Sequence, residues 1–395
     1  MKFANLDKMS QSDFELFDSF FLKWIPAYQE IWVFGMGDYG KAIRNFLKEC
    51  GFVISGFVVS APEKNYAEDS DPVMSISEFK AHHHSAKGKR GLIMGVSSLY
   101  YAEILPKLYF AYDDMYFFDE TYKELISSHC GARKGMKISW HLTSHCNLSC
   151  YSCQIAAPIA PKRFYDLAQY KKELRRVYDL LGERLIYIGL TAAEPLLHPE
   201  FLEFVVCTRQ ISSAARIHVI TNGLLLGNQS DTFWSVLSAN QVKLSWTKYP
   251  VKYPFDVKDV FAKAEQFGAL LEYVGDSSYM ADKESWEMRA ATKGGENPWD
   301  YIFCFMHNNC IAVNNRRLYT CHKKFSWEYC AAKFNIDNPV CNDDGLDIFQ
   351  AETGDELLEF VSQRPRMCAY CKVRDFRCIG SWLPSKRERG EWFCD

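Results

Sequence analysis

Residues 137–153 read Lys-Ile-Ser-Trp-His-Leu-Thr-Ser-His-Cys-Asn-Leu-Ser-Cys-Tyr-Ser-Cys, a short apolar strand pattern that runs into three cysteines. The thiols of Cys146, Cys150 and Cys153 are spaced i, i+4 and i+7, which would also place them on one face of a helix. Polar residues flank the cysteines, and Pro158 and Pro161 follow closely, which favours a loop. We therefore predict a thiol-bearing loop at the end of a strand.

A loop with three thiols suits an iron-sulfur cluster better than a structural zinc ion. Structural zinc takes four protein ligands, so three cysteines leave one position unfilled. Three thiolates on a four-iron cubane leave one iron free to bind another molecule. The cysteine loop therefore predicts a cluster with one open iron.

The segment that begins at residue 137 alternates strand and helix patterns, which predicts a parallel sheet or barrel. In such folds the chemistry lies where strands end and loops begin. The cysteine loop, residues 191–195 and Asn222-Gly223 each follow a predicted strand. The predicted strands are residues 137–142, 185–190, 217–221, 242–246 and 270–274, and the predicted helices are residues 166–181, 199–211, 230–239 and 256–267.

A Cys-x3-Cys-x2-Cys loop after the first strand of such a unit resembles the hallmark of the radical S-adenosylmethionine (SAM) superfamily. Residues 191–199, Thr-Ala-Ala-Glu-Pro-Leu-Leu-His-Pro, are similar to the Gly-Gly-Glu-Pro segment of that family, and residues 219–223 resemble a later strand. The resemblance implies a partial (β/α)6 barrel over residues 137–275. It also implies a 4Fe-4S cluster on Cys146, Cys150 and Cys153 that binds SAM and cleaves it to a 5′-deoxyadenosyl radical.

The residues that the resemblance places on SAM depart from the family pattern at two points. Ala192 and Ala193 replace the paired glycines, and their methyl groups restrict the backbone bend at that position. The family usually has an aromatic residue just before the third cysteine, where it contacts adenine. Ser152 stands at that position here and Tyr151 lies one place earlier, so we expect the packing on adenine to differ. Glu194 is expected to pair with the SAM amino group, because a buried carboxylate needs a partner. Asn222 is either a SAM contact or only a turn residue.

A second group of cysteines occupies the last ninety or so residues of the chain. Residues 311–320 predict a hairpin that pairs 311 with 320 and 313 with 318, turns at Asn315-Arg316, and sets Cys310 opposite Cys321. The unit resembles the SPASM and twitch domains that carry auxiliary clusters, and we expect one auxiliary 4Fe-4S cluster. Its preferred ligands are Cys310, Cys321, Cys368 and Cys371, with Cys304 as a substitute. A structural zinc ion on the same four cysteines is the alternative.

The N-terminal region has the pattern of a Rossmann-like α/β domain. Gly35-Met-Gly37-Asp-Tyr-Gly40 follows a strand and opens a helix, as in the dinucleotide fingerprint. The second strand ends in Val59-Ser60, which lacks the acidic residue that grips an NAD ribose. The segment resembles domains of polysaccharide-pathway enzymes that bind nucleotide sugars, and a purely structural turn is the alternative.

Composition and hydrophobic patterning limit which partners, location and domain organisation the chain can have. A net charge of −3 gives no general attraction to nucleic acid, and no stretch has the apolar length of a membrane span. We expect a cytoplasmic protein whose fifteen cysteines do not form disulfides and whose clustered cysteines bind metal. Three domains are predicted: residues 1–130 Rossmann-like, 131–300 the radical SAM barrel, and 301–395 the auxiliary-cluster domain.

The resemblance extends to radical SAM proteins encoded with glycan-assembly enzymes. It implies hydrogen abstraction from a sugar, nucleotide sugar or related small molecule, with a reducing electron donor such as flavodoxin or ferredoxin. The reaction type, whether oxidoreductase, epimerase or lyase, stays open. One alternative is a radical SAM enzyme that modifies peptides. The other is a non-catalytic iron-sulfur or zinc protein with a degenerate SAM site.

Overall fold

The computed structural model describes residues 10–60, 70–85, 88–108, 112–273, 284–304, 306–307, 309–337 and 344–394. These residues form one five-stranded sheet, one eight-stranded sheet and one two-stranded sheet. The structure is mixed α/β with parallel sheets, as the sequence predicts, and the described strands do not close into a barrel. The predicted boundaries at residues 130 and 300 stay predictions.

The N-terminal region is a parallel sheet in the strand order β3-β2-β1-β4-β5. The order reverses between β1 and β4, which gives the arrangement of a doubly wound fold. The strands are β1 Glu30–Phe34, β2 Gly56–Val59, β3 Val73–Ser75, β4 Arg90–Met94 and β5 Asp114–Tyr116, and the helices are α1 Gln11–Ser19, α2 Asp38–Glu49, α3 Ile76–Ser85, α4 Tyr101–Leu108 and α5 Glu120–Cys130.

The central region forms the predicted strand-and-helix alternation. Its strands are β6 Met136–His141, β7 Leu185–Thr191, β8 Arg216–Thr221, β9 Val242–Trp246 and β10 Leu270–Tyr273, and its helices are α6 Leu167–Leu181, α7 Phe201–Ile211, α8 Asp231–Ala239 and α9 Val257–Gln266. All five strands run parallel in sequence order. The last residue of the final predicted strand, 274, lies outside the described residues.

Local side-chain chemistry explains where three of the central helices begin. Asp166, Ser230 and Asp256 stand directly before α6, α8 and α9, and each accepts a hydrogen bond from a backbone N–H of the first turn. Such caps satisfy donors that have no partner inside the helix. The apolar faces of the helices then pack on the sheet, where the side chains of Ile138, Trp140 and Leu174 are fully buried.

The C-terminal region joins the central sheet through the predicted hairpin. Strands β12 and β13 pair Ala312 with Tyr319 and Val313 with Leu318, in the predicted register. Asn315 and Arg316 have φ angles of 46° and 68°, the left-handed conformations that a type I′ turn requires. Strand β12 also pairs in parallel with β6. The strands here are β11 Glu284–Glu287, β12 Ala312–Asn314, β13 Arg317–Tyr319, β14 Gly345–Asp347 and β15 Arg377–Ser381, and the helices are α10 Lys323–Phe334 and α11 Gly354–Ser362.

Helix α1 was not predicted from the sequence, and it packs on the C-terminal region. The rings of Phe14 and Phe17 lie 4.8 and 5.0 Å from that of Phe303. Arg374 donates hydrogen bonds to the carboxylates of Asp18 and Asp300, from opposite ends of the sequence. Asp18 is 356 residues from Arg374 and 281 from Trp299, whose indole N–H also donates to it, so no local pattern could indicate these contacts. None of the helices in the described ranges is long and apolar enough to cross a membrane.

The hairpin turn is fixed to the central region by one buried carboxylate. Glu173 on α6 accepts hydrogen bonds from the side chains of Trp140, Tyr165 and Gln169 and from the backbone N–H of Arg316. The Tyr165 hydroxyl accepts a further bond from the backbone N–H of the other turn residue. The carboxylate therefore joins helix, strand and turn at one point.

Replacing Glu173 with Ala is expected to destabilise the fold, because several buried donors lose their acceptor. The loss is on the order of 3 kcal/mol, or about 5–10 °C in apparent Tm for a domain of this size. Scanning calorimetry or fluorimetry measures it. Glu265→Ala, on the exposed face of α9, is the matched control and should change the Tm by no more than about 2 °C. Equal effects of the two substitutions would contradict the assigned role.

Candidate functional site

The first cysteine loop lies at the carboxyl edge of the central sheet, between β6 and α6. The Thr143 hydroxyl donates to the carbonyl of Arg163 and accepts from the backbone N–H of His145, which closes the base of the loop. Ser152 and Ala156 have φ angles of 49° and 51°, so the segment is a loop rather than a helix. The described cysteines are all free thiols.

The thiols of Cys146, Cys150 and Cys153 lie close enough to influence one another electrostatically. Burial raises the pKa of Cys146 to about 12 and that of Cys153 to about 11, and the neighbouring thiols act in the same direction. Clustered thiols ionise together only when a cation offsets their charge, which is what a metal centre supplies. Among the described residues, no group of three or more His, Cys, Asp or Glu is arranged to hold a single metal ion.

Glu194 lies beside this loop with a fully buried side chain. Its carboxylate accepts hydrogen bonds from the Thr221 hydroxyl at 2.7 Å, the Asn222 N–H at 2.8 Å and the Leu196 N–H at 3.1 Å. Its own N–H donates to the carbonyl of His145, next to the first cysteine. Burial raises the pKa of Glu194 to about 7, although its three donors act in the opposite direction.

The backbone before Glu194 is strained. Ala192 and Ala193 have φ angles of 73° and 40°, the left-handed region in which a β-carbon crowds the following carbonyl. The sequence suggested that the alanine methyls would restrict a glycine-type bend here. The chain adopts left-handed backbone at both positions nonetheless, at a cost of about 1 kcal/mol or more per residue. Strain of this kind persists only where the surrounding structure enforces it.

Asn222 follows β8 and faces the cysteine loop. Its amide nitrogen donates to Asn147 at 2.7 Å and lies 3.7 Å from the sulfur of Cys146. The indole of Trp246 donates to the carbonyl of Asn222 and occupies the space where a side chain at Gly223 would stand. The turn therefore requires glycine at position 223, and Asn222 contacts the loop whether or not it also contacts a ligand.

Two aromatic residues that sequence reasoning missed lie against the loop. The phenol of Tyr249 hydrogen-bonds to the thiol of Cys150, and its ring centroid is 5.9 Å from that of Trp382. The buried indole N–H of Trp382 has no hydrogen-bond partner among the residues that the structure describes. Tyr249 follows β9 and so continues the series of strand-end residues, whereas no local signal connects Trp382 to the site. The hydroxyl of Tyr151 donates to Glu287 at 2.8 Å, and its predicted contact with adenine stays a prediction.

The C-terminal segment pairs with the cysteine loop. The N–H of Tyr151 donates to the carbonyl of Leu383, and the N–H of Ser385 donates to the carbonyl of Ser149, both at 2.9 Å. The indole of Trp392 donates to the carbonyl of Cys153. The loop is therefore held by backbone bonds to residues more than 230 positions away.

The second cysteine group lies beside the hairpin, with Cys371 buried and Cys304, Cys310, Cys321 and Cys368 half-buried. The thiol of Cys304 influences the pKa of the thiols of Cys310, Cys321 and Cys368, and Cys371 in turn influences Cys304. Burial is the largest cause of the raised pKa of each, which reaches about 11 in Cys304 and about 12 in Cys310. The structure thus brings the four preferred ligands and the substitute Cys304 into one group.

The glycine turn after β1 has a structural role at two of its three positions. Gly35 has a φ of 92°, and a β-carbon on Gly40 would lie 1.9 Å from the Gly35 carbonyl oxygen. A β-carbon on Gly37 would meet no atom within 4 Å, so open space faces the start of α2. Binding of a nucleotide at Gly35, Gly37 and Gly40 stays a prediction.

A three-cysteine loop at the carboxyl edge of a parallel sheet, next to a buried glutamate that follows the second strand, is the arrangement that the resemblance to radical SAM proteins predicts. No family model matches the chain. Over 120 residues it is 32% identical to molybdenum cofactor biosynthesis protein 1 of Bos taurus and 30% identical to that of Homo sapiens. This similarity supports the predicted radical SAM superfamily. It does not confirm the SPASM domain. The match covers 30% of this chain and 18% of each relative.

The similarity to solved structures is low. BtrN in complex with AdoMet and 2-DOIA is 16% identical, with a TM-score of 0.37 over 60% of this chain and 93% of that one. The anSMEcpe protein with bound AdoMet is 12% identical, with a TM-score of 0.35 over 59% and 82%. Streptococcus suis SuiB bound to S-adenosylmethionine is 11% identical, with a TM-score of 0.29 over 65% and 71%. Resemblances at this level carry no argument about substrate.

The buried Glu194 makes stability depend on pH in protein free of cofactors. A carboxyl whose folded pKa is raised from 4.5 to about 7 stabilises the fold below its unfolded pKa, and this contribution is lost as pH rises through 7. The Tm of the natural protein, relative to that of Glu194→Gln, should therefore fall by several degrees between pH 5 and pH 8, as read by scanning fluorimetry. A Tm difference that is the same at all pH values would contradict this.

Glycine at position 192 relieves the strained backbone, but it also adds entropy to the unfolded chain, and the two effects offset each other to within about 1 kcal/mol. Ala192→Gly should leave the Tm unchanged or raise it. Ala262→Gly, at an exposed position inside α9, is the matched control and should lower the Tm by about 2–4 °C. If the two substitutions lower the Tm equally, residue 192 is not left-handed in solution.

Proposed function

We propose that this chain is a radical SAM enzyme that abstracts hydrogen from a sugar, nucleotide sugar or related small molecule. Cys146, Cys150 and Cys153 would hold the 4Fe-4S cluster. The cluster, when bound, supplies one electron that cleaves the sulfonium C–S bond of SAM and so generates the 5′-deoxyadenosyl radical that abstracts the hydrogen atom. The remaining residues of the site would bind and orient SAM and the substrate.

The observation that carries the proposal is the strained backbone of Ala192 and Ala193 beside Glu194. A chain that had lost SAM binding would have no need to retain two left-handed alanines. The left-handed conformation brings the backbone of this segment to the cysteine loop, where the Glu194 N–H donates to the carbonyl of His145. It also places the Glu194 carboxylate, which has three neutral donors and no cation among the described residues, at the carboxyl edge of the sheet.

Charge complementarity supports SAM as the ligand. The methionine part of SAM carries an ammonium group, and a buried carboxylate that lacks a cationic partner gains most from such a group. Binding of the ammonium would lower the pKa of Glu194 from about 7, so the carboxylate would be ionised at neutral pH when SAM is present. Asn222 would orient the cysteine loop through Asn147.

Two features support a polar small molecule as the substrate. Tyr249 presents its ring beside Cys150 with the ring of Trp382 next to it, and the Trp382 indole N–H, which has no partner among the described residues, can donate a hydrogen bond to a ligand oxygen. Rings combined with a few polar groups are typical of small-molecule sites. We also propose one auxiliary 4Fe-4S cluster on thiols drawn from Cys304, Cys310, Cys321, Cys368 and Cys371, and a reducing partner such as flavodoxin or ferredoxin.

The proposal predicts that protein reconstituted anaerobically with iron and sulfide forms 5′-deoxyadenosine from SAM when dithionite is added. Cys150→Ala should reduce the product to background because the first cluster loses a ligand, while the second group still retains iron. Product is measured by liquid chromatography and iron by elemental analysis.

Cys378→Ala is the matched control for the loss of a thiol. Cys378 lies on β15, is exposed and is not part of either thiol group in the described structure. This variant should retain both product and iron. Natural protein with a full iron content and no 5′-deoxyadenosine would overturn catalysis, and a Cys150→Ala variant without any iron would contradict two separate sites.

A further inference from the structure

A buried lysine lies between the two cysteine groups. Lys323 is the first residue of α10, two positions after Cys321, and its side chain is 5% exposed. Its ammonium donates to the carbonyl of Met288 at 2.6 Å and lies 3.4 Å from the amide oxygen of Gln154, the residue after Cys153. Both acceptors are neutral, so neither supplies a compensating charge.

The neighbouring lysine in the same helix has a compensating negative charge. Lys324 is equally buried, but its ammonium forms an ion pair with Glu328 at 3.0 Å and a hydrogen bond with the Tyr319 hydroxyl. In the part of the chain that the structure describes, Lys323 has no carboxylate at ion-pair distance. A buried ammonium without a counter-charge costs several kcal/mol. An anionic group near Lys323 would offset this cost.

Thiols of the second group lie near Lys323, because its backbone N–H hydrogen-bonds to the sulfur of Cys321. Burial raises the pKa of Cys304 and Cys371, and the Lys323 ammonium acts against that rise at both, as it does at Cys330 outside the second group. Four thiolates on a 4Fe-4S cluster carry more negative charge than the cluster core carries positive charge, so the assembled centre is an anion. The lysine ammonium and such an anionic centre would each supply the opposite charge that the other needs.

We propose that Lys323 is the counter-ion of the auxiliary cluster and raises its reduction potential. The inference rests on the auxiliary cluster proposed above. Reduction adds one electron to the centre, and a fixed positive charge nearby stabilises the more negative product. Lys323 is a positioning residue in this scheme because it contacts no substrate.

The first cysteine loop helps to hold the cation in place. Gln154 fixes its amide by donating from Nε2 to the carbonyl of Ser152 at 2.8 Å, which leaves its oxygen directed at Lys323. The loop of the first site therefore contributes to the charge environment of the second. This contact connects the two centres without a shared ligand.

The test is a one-electron redox titration of the auxiliary cluster, followed by electron paramagnetic resonance with dithionite and mediators. All variants carry Cys150→Ala, so that only the second centre contributes to the signal. Lys323→Met should lower the equilibrium constant for reduction of the cluster at least tenfold. This corresponds to a shift of the reduction potential by about 59 mV or more to negative values. Lys324→Met, an adjacent lysine of equal burial that has its own carboxylate, is the matched control and should leave the potential unchanged.

An unchanged potential in Lys323→Met, or an equal shift in Lys324→Met, would overturn the inference. If Lys323→Met holds no iron, Lys323→Arg decides: iron with a near-natural potential supports a role for the charge, whereas loss of iron there too shows a packing role and overturns it. Formation of 5′-deoxyadenosine is measured in parallel with Cys150 intact. Failure of that reaction alone would count against the proposed function and leave the redox result standing.

Discussion

Hydrogen bonding between β6 and β12 is the constraint on which the arrangement of both cysteine groups depends. The carboxyl end of β6 leads into the first cysteine loop, while its edge pairs with β12, the strand that follows Cys310. Because the pairing fixes Ala312 opposite Ser139, a shift of one residue would turn the hairpin side chains to the other face of the sheet. Two thiol groups from distant parts of the chain are thereby built on one eight-stranded sheet.

A second consequence of this arrangement is that the site is enclosed by both ends of the chain. Residues of α1, the segment around Trp299, and the C-terminal Trp392 and Phe393 share one apolar cluster with Ala156 of the first cysteine loop. The N-terminal sheet and the C-terminal segment therefore stabilise the loop by packing as well as by hydrogen bonds. Burial of this kind excludes water, which strengthens the electrostatic effects of charged groups such as Glu194 and Lys323.

The site also concentrates features that cost free energy. Left-handed alanines are unfavourable in the protein without cofactors. The same holds for a buried carboxylate and a buried ammonium that have no counter-charge within the described ranges. A SAM ammonium would offset the cost at Glu194, and an anionic cluster would offset it at Lys323. The clustering of such residues around two groups of thiols is typical of a binding site whose ligands complete the charge balance.

Much of this protein could be predicted from its sequence, since the strands and helices of the central region, the hairpin register and the membership of both thiol groups follow from local patterns. The period of the apolar residues and the spacing of the cysteines depend on neighbours along the chain. Closely spaced cysteines are uncommon enough to indicate a metal centre. Helix α1, the contact of Tyr249 and Trp382, and the position of Lys323 beside Cys304 and Cys371 were decided only by the tertiary structure. The physical reason is that packing joins residues far apart in sequence, whereas burial and backbone strain are properties of the completed fold.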